Sequence, residues 1–216
     1  MDKLTLGDTA SPSLVALSSS VRDVASALLR IDESDPAAGA ALREAQRWID
    51  EARDRLARVG RTSDTPRVGP GADAATTRPY YFPGALEPSV HVGAPAMTAT
   101  QDGPRRFGTV RFELIHEGPP GCVHGGFLAW MFDQAFGQLV VASDEPGGPT
   151  HRLEVTYRRP TPILRELRYD VGTERIEGRK HFARATLHHG ETLTAEATAL
   201  FVQPRTGPLR MESDGG

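Results

Sequence analysis

Apolar residues recur at helical spacing through the first sixty positions. Leu14, Leu17, Val21, Val24, Leu28 and Ile31 are separated by alternating steps of three and four, which lines one face of a helix. Asp35-Pro36 then offers a capping carboxylate followed by proline at a first helical position, and Leu42, Ala45, Ile49, Ala52, Leu56 and Val59 repeat the same steps up to Gly60. The two stripes predict a helical hairpin over residues 1–60 in which each face buries the other. A pair of that size is poorly stable alone and is expected to lean on a further surface. Residues 61–79 are rich in Thr, Pro, Gly and Ala without a period and read as a linker.

After Pro79 the texture changes to short alternating runs. The predicted strands are Ala96–Thr100, Thr109–His116, His151–Arg158, Leu167–Glu177, His181–His188 and Leu193–Val202. Between the second and third of these, Gly125–Ala142 carries Leu128, Met131, Phe132, Ala135, Phe136 and Leu139 at helical spacing, a wide apolar face that predicts a buried helix. Two strands, one long helix and four closely linked strands make an α+β domain over 80–203, an antiparallel sheet with a single helix against it. Residues 204–216 read as a tail.

Composition narrows the chemistry. The chain has 216 residues, and 25 Lys+Arg against 28 Asp+Glu leave a formal charge of −3, with no basic field to attract a phosphate backbone. The N-terminal hairpin carries no basic recognition face either, so nucleic acid is not an expected partner. A single cysteine, Cys122, excludes an internal disulfide and a cysteine-based zinc site. No apolar run reaches the length of a membrane span, and the start Met1-Asp2-Lys3-Leu4-Thr5 lacks a signal-type core, so a soluble cytoplasmic protein is expected.

The informative stretch runs from Glu117 to Asp133. Proline and glycine fix a loop over Gly118-Pro119-Pro120-Gly121. The Gly125-Gly126 pair then lets a backbone approach a ligand where a helix begins and its unpaired N–H groups point outward, a place to hold a developing oxyanion. The bland alternative is a tight entry to a packed helix. Asp133 stands on the otherwise apolar helix, level with Trp130 and Gly137, and a carboxylate in such surroundings suits proton abstraction from water or attack on a carbonyl. Its bland alternative is a solvent-facing aspartate. His124 and Asp133 are nine positions apart, roughly 13 Å along a helix axis at about 1.5 Å per residue, too far to grip one carbonyl. If both serve one substrate, the helix start comes from one subunit and the aspartate from another, about a twofold axis.

Val123-His124-Gly125-Gly126 with Asp133, followed by a strand ending Thr156-Tyr157-Arg158-Arg159-Pro160, resembles the signature of the PaaI-type hotdog-fold acyl-CoA thioesterases over residues 80–203. The resemblance implies a long helix wrapped by a curved antiparallel sheet, a homodimer or dimer of dimers, and hydrolysis of acyl-CoA without metal or cofactor. It implies that His124 and Gly125 polarise the thioester carbonyl, that Asp133 is base or nucleophile, and that Thr150 orients water or the aspartate. One departure is Gly118, which stands six residues before the histidine where many members carry an asparagine or similar amide, leaving open whether Glu117 substitutes. Gly126, Thr156, Arg158, Arg159, Arg179 and Lys180 are the candidates for substrate contact, the cations for the phosphates of CoA; solvated hairpin tips are their plain alternative.

Other chemistries fit less well. There is no Gly-x-Ser-x-Gly elbow for a serine hydrolase and no His-Glu-x-x-His for zinc, and Gln138 stands where an Asp–His pairing five apart would need its histidine. Cys122, two residues before His124, does not by spacing define a Cys–His pair. The rival from another class is a non-catalytic acyl-CoA-binding or protein-interaction module on the same fold. Asp133 with Thr150 argues against it.

Overall fold

The computed structural model describes residues 10–59, 90–143 and 147–205. The expected linker, residues 80–89 of the expected α+β domain, and most of the expected tail lie outside them. In chain order the elements are α1 (Pro12–Leu28), α2 (Ala38–Ala57), β1 (Ala96–Met97), β2 (Thr100–Asp102), β3 (Arg105–Arg111), a 3-10 turn (Leu114–His116), α3 (Gly125–Ala142), β4 (Thr150–Tyr157), β5 (Glu166–Glu177), β6 (Lys180–His189) and β7 (Thr192–Val202). The strands form one antiparallel sheet in the order β1-β3-β5-β6-β7-β4, with β2 also pairing β3.

The core lies between α3 and one face of this sheet. Leu128, Met131, Phe132, Ala135, Phe136 and Leu139 of α3 are buried there. They meet the inward residues of the strands, which alternate with outward ones as the pleat requires. The inward positions of β6 and β7 are small: Ala183 faces Ala199, Ala185 faces Ala197, and Leu187 faces Ala195 across the ladder. These alanine pairs leave room for the rings of Phe132 and Phe136, so a bulky helix and a small-residue sheet fit at close packing. The predicted helix Gly125–Ala142 matches α3 at both ends, and the last three strands agree with prediction to within one residue at each end.

Three expectations about strand bounds and capping fail. The strand read as Thr109–His116 is instead β3 over Arg105–Arg111, after which the chain turns. The Glu113 carboxylate and the His116 imidazole each accept the other residue's backbone N–H in a reciprocal box, closing the 3-10 turn at the point where alternation of Val110, Phe112 and Leu114 suggested extended chain. The run Ala96–Thr100 divides into β1 and β2. Asp35 does not cap α2: its Oδ1 accepts the Ala37 N–H at 2.8 Å within a separate turn, and the helix starts at Ala38.

The N-terminal helices form, but their apolar stripes do not bury each other. Leu17, Val21, Val24 and Leu28 of α1 remain between 40% and 50% exposed, and Trp48, Ile49 and Leu56 of α2 are exposed as well. The face α1 presents to the rest of the chain is instead centred on buried Ser18, with Arg22 donating to the His91 carbonyl at 3.4 Å and the helix resting near the 3-10 turn. Periodicity identified the apolar face correctly; it carries no information on what covers that face.

Candidate active site

The loop from Glu117 to Val123 is pinned on both sides. The His124 N–H donates to the His116 carbonyl at 2.8 Å, the Val123 N–H to Thr161 at 2.8 Å, the Ile163 N–H to Gly121 at 3.1 Å, and the Gly118 N–H to Cys122 at 2.9 Å. The Glu117 carboxylate accepts the Gly121 N–H at 2.6 Å. Glu117 therefore stiffens its own loop, and that bond offers no replacement for the family's amide. Gly118 has a separate cause: a Cβ there would lie 2.8 Å from His124 Cα and 2.9 Å from His124 Cβ, so a side chain at 118 would displace the histidine.

His124 is the N-cap of α3, its Nδ1 accepting the Gly126 N–H at 3.0 Å. Its carbonyl takes the Phe127 N–H at 3.0 Å and the Leu128 N–H at 3.3 Å. The amides of Gly126, Phe127 and Leu128 are thus all taken by His124. The Gly125 N–H has no acceptor among the described residues, which makes it the backbone donor free to meet a ligand oxygen. His124 itself is exposed, and its ring packs edge-on toward Phe127 at 6.4 Å between centroids. Behind it, buried His116 sits between Phe112 and Phe127; burial pushes its pKa below the ordinary value, partly opposed by backbone hydrogen bonds at Gly93 and Glu113.

Asp133 lies half-buried on the same helix, and Thr150 at the start of β4 donates its hydroxyl to Asp133 Oδ1 at 2.9 Å. Oδ2 is left without a partner among the described residues. Because α3 is unbroken from Gly125 to Ala142, the nine-residue spacing holds the helix start and Asp133 roughly 13 Å apart along its axis. Within one protomer they form two separate halves of the candidate site.

The other predicted contacts divide between those halves. Tyr157 Oη donates to the Gly125 carbonyl at 2.9 Å, so the end of β4 closes over the helix start. Arg158 and Arg159 follow it and, with Glu191, Thr192 and Leu193, line an open groove of about 580 Å³. Arg158 is engaged by Glu196, whose carboxyl it holds below the usual range, mainly by hydrogen bonding; Arg184 also reaches Glu196 at 3.4 Å. Arg159 makes no side-chain bond among the described residues. Lys180 pairs in register with Val202, and Thr150 with Phe201, whereas Tyr157 pairs with Ala195. Arg179 and Lys180 therefore sit at the Asp133–Thr150 end of the sheet, away from Arg158. The Arg179 guanidinium bonds the Gln203 carbonyl, and the Gln203 N–H returns to Arg179 at 2.9 Å, which gives Arg179 a structural task. Thr156 alternates with Val155 and Tyr157 and so lies on the outer sheet face opposite Glu196, not beside His124 of its own protomer. Gly126 spends its N–H on the cap. The element the sequence reading overlooked is Tyr157, whose signal was its place at a strand end next to the arginines.

No protein-family model matches the chain. Over 89 residues it is 37% identical to acyl-coenzyme A thioesterase THEM4 of Mus musculus, a match covering 40% of this chain and 38% of that protein. Over the same length it is 40% identical to the Xenopus laevis protein of that name, covering 40% of each. The chain thus spans well under half the length of the curated relatives it matches. A solved thioesterase superfamily protein superposes with a TM-score of 0.71 at 22% identity, covering 91% of this chain and 92% of its own. That likeness extends the shared fold over nearly the whole molecule. In sequence the matched segment is thus similar to acyl-coenzyme A thioesterases, and in fold the chain is similar to a thioesterase superfamily protein.

Proposed function

We propose that this protein is an acyl-CoA thioesterase that works as a homodimer, or a dimer of dimers, with each site shared between two subunits. The observation that carries this reading is the pair of half-sites on one helix: a free Gly125 N–H at its start, and Asp133 held by Thr150 a little over two turns further on. Antiparallel helices about a twofold axis bring the start of one beside the aspartate of the other. The same operation brings the Arg158–Arg159 end of one sheet toward the Arg179–Lys180 end of its partner, gathering cations at one mouth.

In this arrangement the thioester oxygen lies against the Gly125 N–H and His124 of one subunit, and Asp133 of the other faces the carbonyl carbon. Asp133 acts either by taking a proton from water, which attacks the carbon, or by attacking it directly to form an acyl–Asp133 anhydride that water then cleaves to release the acid and restore the carboxylate. In both routes the negative charge that develops on oxygen meets donors already in position, which is where such donors lower a barrier. The CoA thiolate leaves and takes up a proton. Thr150, by donating to Oδ1, turns Oδ2 toward the reaction. Arg159, free of a side-chain partner among the described residues, is the cation best suited to a CoA phosphate, and Arg158 shares its charge with Glu196. The names of the curated relatives support this substrate class. No described helix is long and apolar enough to cross a membrane; the free thiol of Cys122 suits a reducing compartment, and the proposal includes a cytoplasmic location. A screen of acyl-CoAs of graded chain length, following thiol release, tests the activity: turnover of at least one supports it, and binding of CoA without turnover of any would mean a non-catalytic module.

A further inference from the structure

Tyr157, Gly125, Gly126 and His124 form one continuous hydrogen-bonded chain. The Tyr157 hydroxyl donates to the Gly125 carbonyl at 2.9 Å. That carbonyl belongs to the same peptide unit as the Gly126 N–H, which donates to His124 Nδ1 at 3.0 Å. A ring nitrogen that accepts a backbone N–H carries no proton of its own, so the neutral His124 ring bears its proton on Nε2. The tyrosine ring also packs on the helix start: a Cβ at Gly125 would lie 3.1 Å from both Tyr157 Cζ and Tyr157 Oη. A side chain at Gly125 would therefore press on the tyrosine ring, a milder conflict than the overlap with the His124 backbone that a side chain at Gly118 would meet.

We propose that Tyr157 is a positioning residue for thioester hydrolysis, holding the Gly125–Gly126 peptide and, through it, the tautomer and orientation of His124. This rests on the thioesterase reading above. A hydrogen bond to one end of a peptide group polarises the group and strengthens the bond made by its other end. The hydroxyl thus favours the Gly126-to-Nδ1 bond, keeps the Nε2 proton available as a second donor beside the Gly125 N–H, and keeps the first peptide of α3 from rotating. Neither Tyr157 atom need touch the thioester for this to operate.

The test is Tyr157→Phe in the full chain, which removes the hydroxyl and retains the ring. Loss of one supporting hydrogen bond, at about 0.5–1.5 kcal/mol, corresponds to a fall in kcat of about 2- to 12-fold with KM for the acyl-CoA unchanged. Tyr157→Leu, which also removes the ring from Gly125, should lose more. A second readout does not depend on turnover: nitrogen NMR of the His124 ring should show the Nε2-protonated tautomer in the wild-type protein and a larger share of other ring forms in Tyr157→Phe. An Nδ1-protonated ring in the wild type, or a ring and a kcat that Tyr157→Phe leaves unaltered, overturns the proposal. Should the wild-type protein cleave no acyl-CoA while the ring tautomer responds as stated, the thioesterase reading fails and the structural coupling of Tyr157 to His124 stands.

Discussion

Thr150 and Asp133, seventeen positions apart, meet at 2.9 Å, the hydroxyl of the first strand residue after α3 donating to one carboxylate oxygen in the middle of that helix. The bond fixes the carboxylate plane and reserves the other oxygen. Thr150→Val removes the donor at nearly constant volume and should lower kcat by about tenfold, the worth of one hydrogen bond to a charged group at about 1.5 kcal/mol, while Thr150→Ser should restore most of it. Steady-state hydrolysis of the best acyl-CoA found in the screen measures both.

The proposed division of the site between subunits predicts complementation. Gly125→Pro removes the free N–H and crowds Tyr157; Asp133→Asn removes the carboxylate. Each alone should be inactive. In co-expressed material half the dimers are mixed, and one of the two sites in each mixed dimer is sound, so about a quarter of wild-type activity should return. Sedimentation at assay concentration should show a dimer or larger; a fully active monomer would contradict the shared site.

His116 ties acid stability to the loop that carries His124. Its Nδ1 accepts the Glu113 N–H at 2.8 Å and its Nε2 lies 3.2 Å from the Gly93 carbonyl, so the folded protein holds it neutral. Its pKa is lowered on folding, chiefly by burial, which means the unfolded chain binds the proton more readily. The stability it contributes is complete above the ordinary histidine value and is lost as pH falls through that value toward the depressed one. The urea midpoint of the wild type should therefore fall between pH 7.5 and pH 5.5. His116→Asn, which keeps an acceptor near Nδ1 but does not titrate, should be less stable at neutral pH and show a smaller decline.

The fit of α3 to its alanine-lined sheet predicts that Phe132→Ala costs about 3–5 kcal/mol, read from denaturant unfolding. Surface positions such as Thr198 should tolerate alanine with little change.

Deleting residues 1–59 removes both N-terminal helices. None of the half-site contacts described above uses them, so hydrolysis should remain detectable, with altered oligomer size, solubility or acyl-chain preference. Loss of all activity in a deletion that stayed folded and dimeric would place a gating element in those helices.

How much of this was legible in the chain depended on the range of the forces involved. Helix α3 could be read because six apolar residues on one face obey a local period, and Gly125-Gly126 mark its start. The hairpins of β5, β6 and β7 could be read from alternation and turn residues. Thr109–His116 misled because Val110, Phe112 and Leu114 alternate like a strand, while the chain is turned by side-chain bonds between Glu113 and His116. The separation of Arg158 from Arg179 follows from strand register, which local pattern does not contain. Gly118 looked like a missing amide until its distance to His124 showed that no side chain fits. Tyr157 stands in the strand-end motif, but its role was not legible for a related reason: its partner, a backbone carbonyl thirty-two residues away, leaves no trace in the spacing of side chains.

The most direct test of the central claim is hydrolysis of acyl-CoA by Asp133→Asn, followed through thiol release, beside a measurement of CoA binding. The account predicts a fall in turnover on the order of 10²–10⁴-fold, the range for loss of a general base, with CoA binding retained. Turnover near that of the wild-type protein would contradict it.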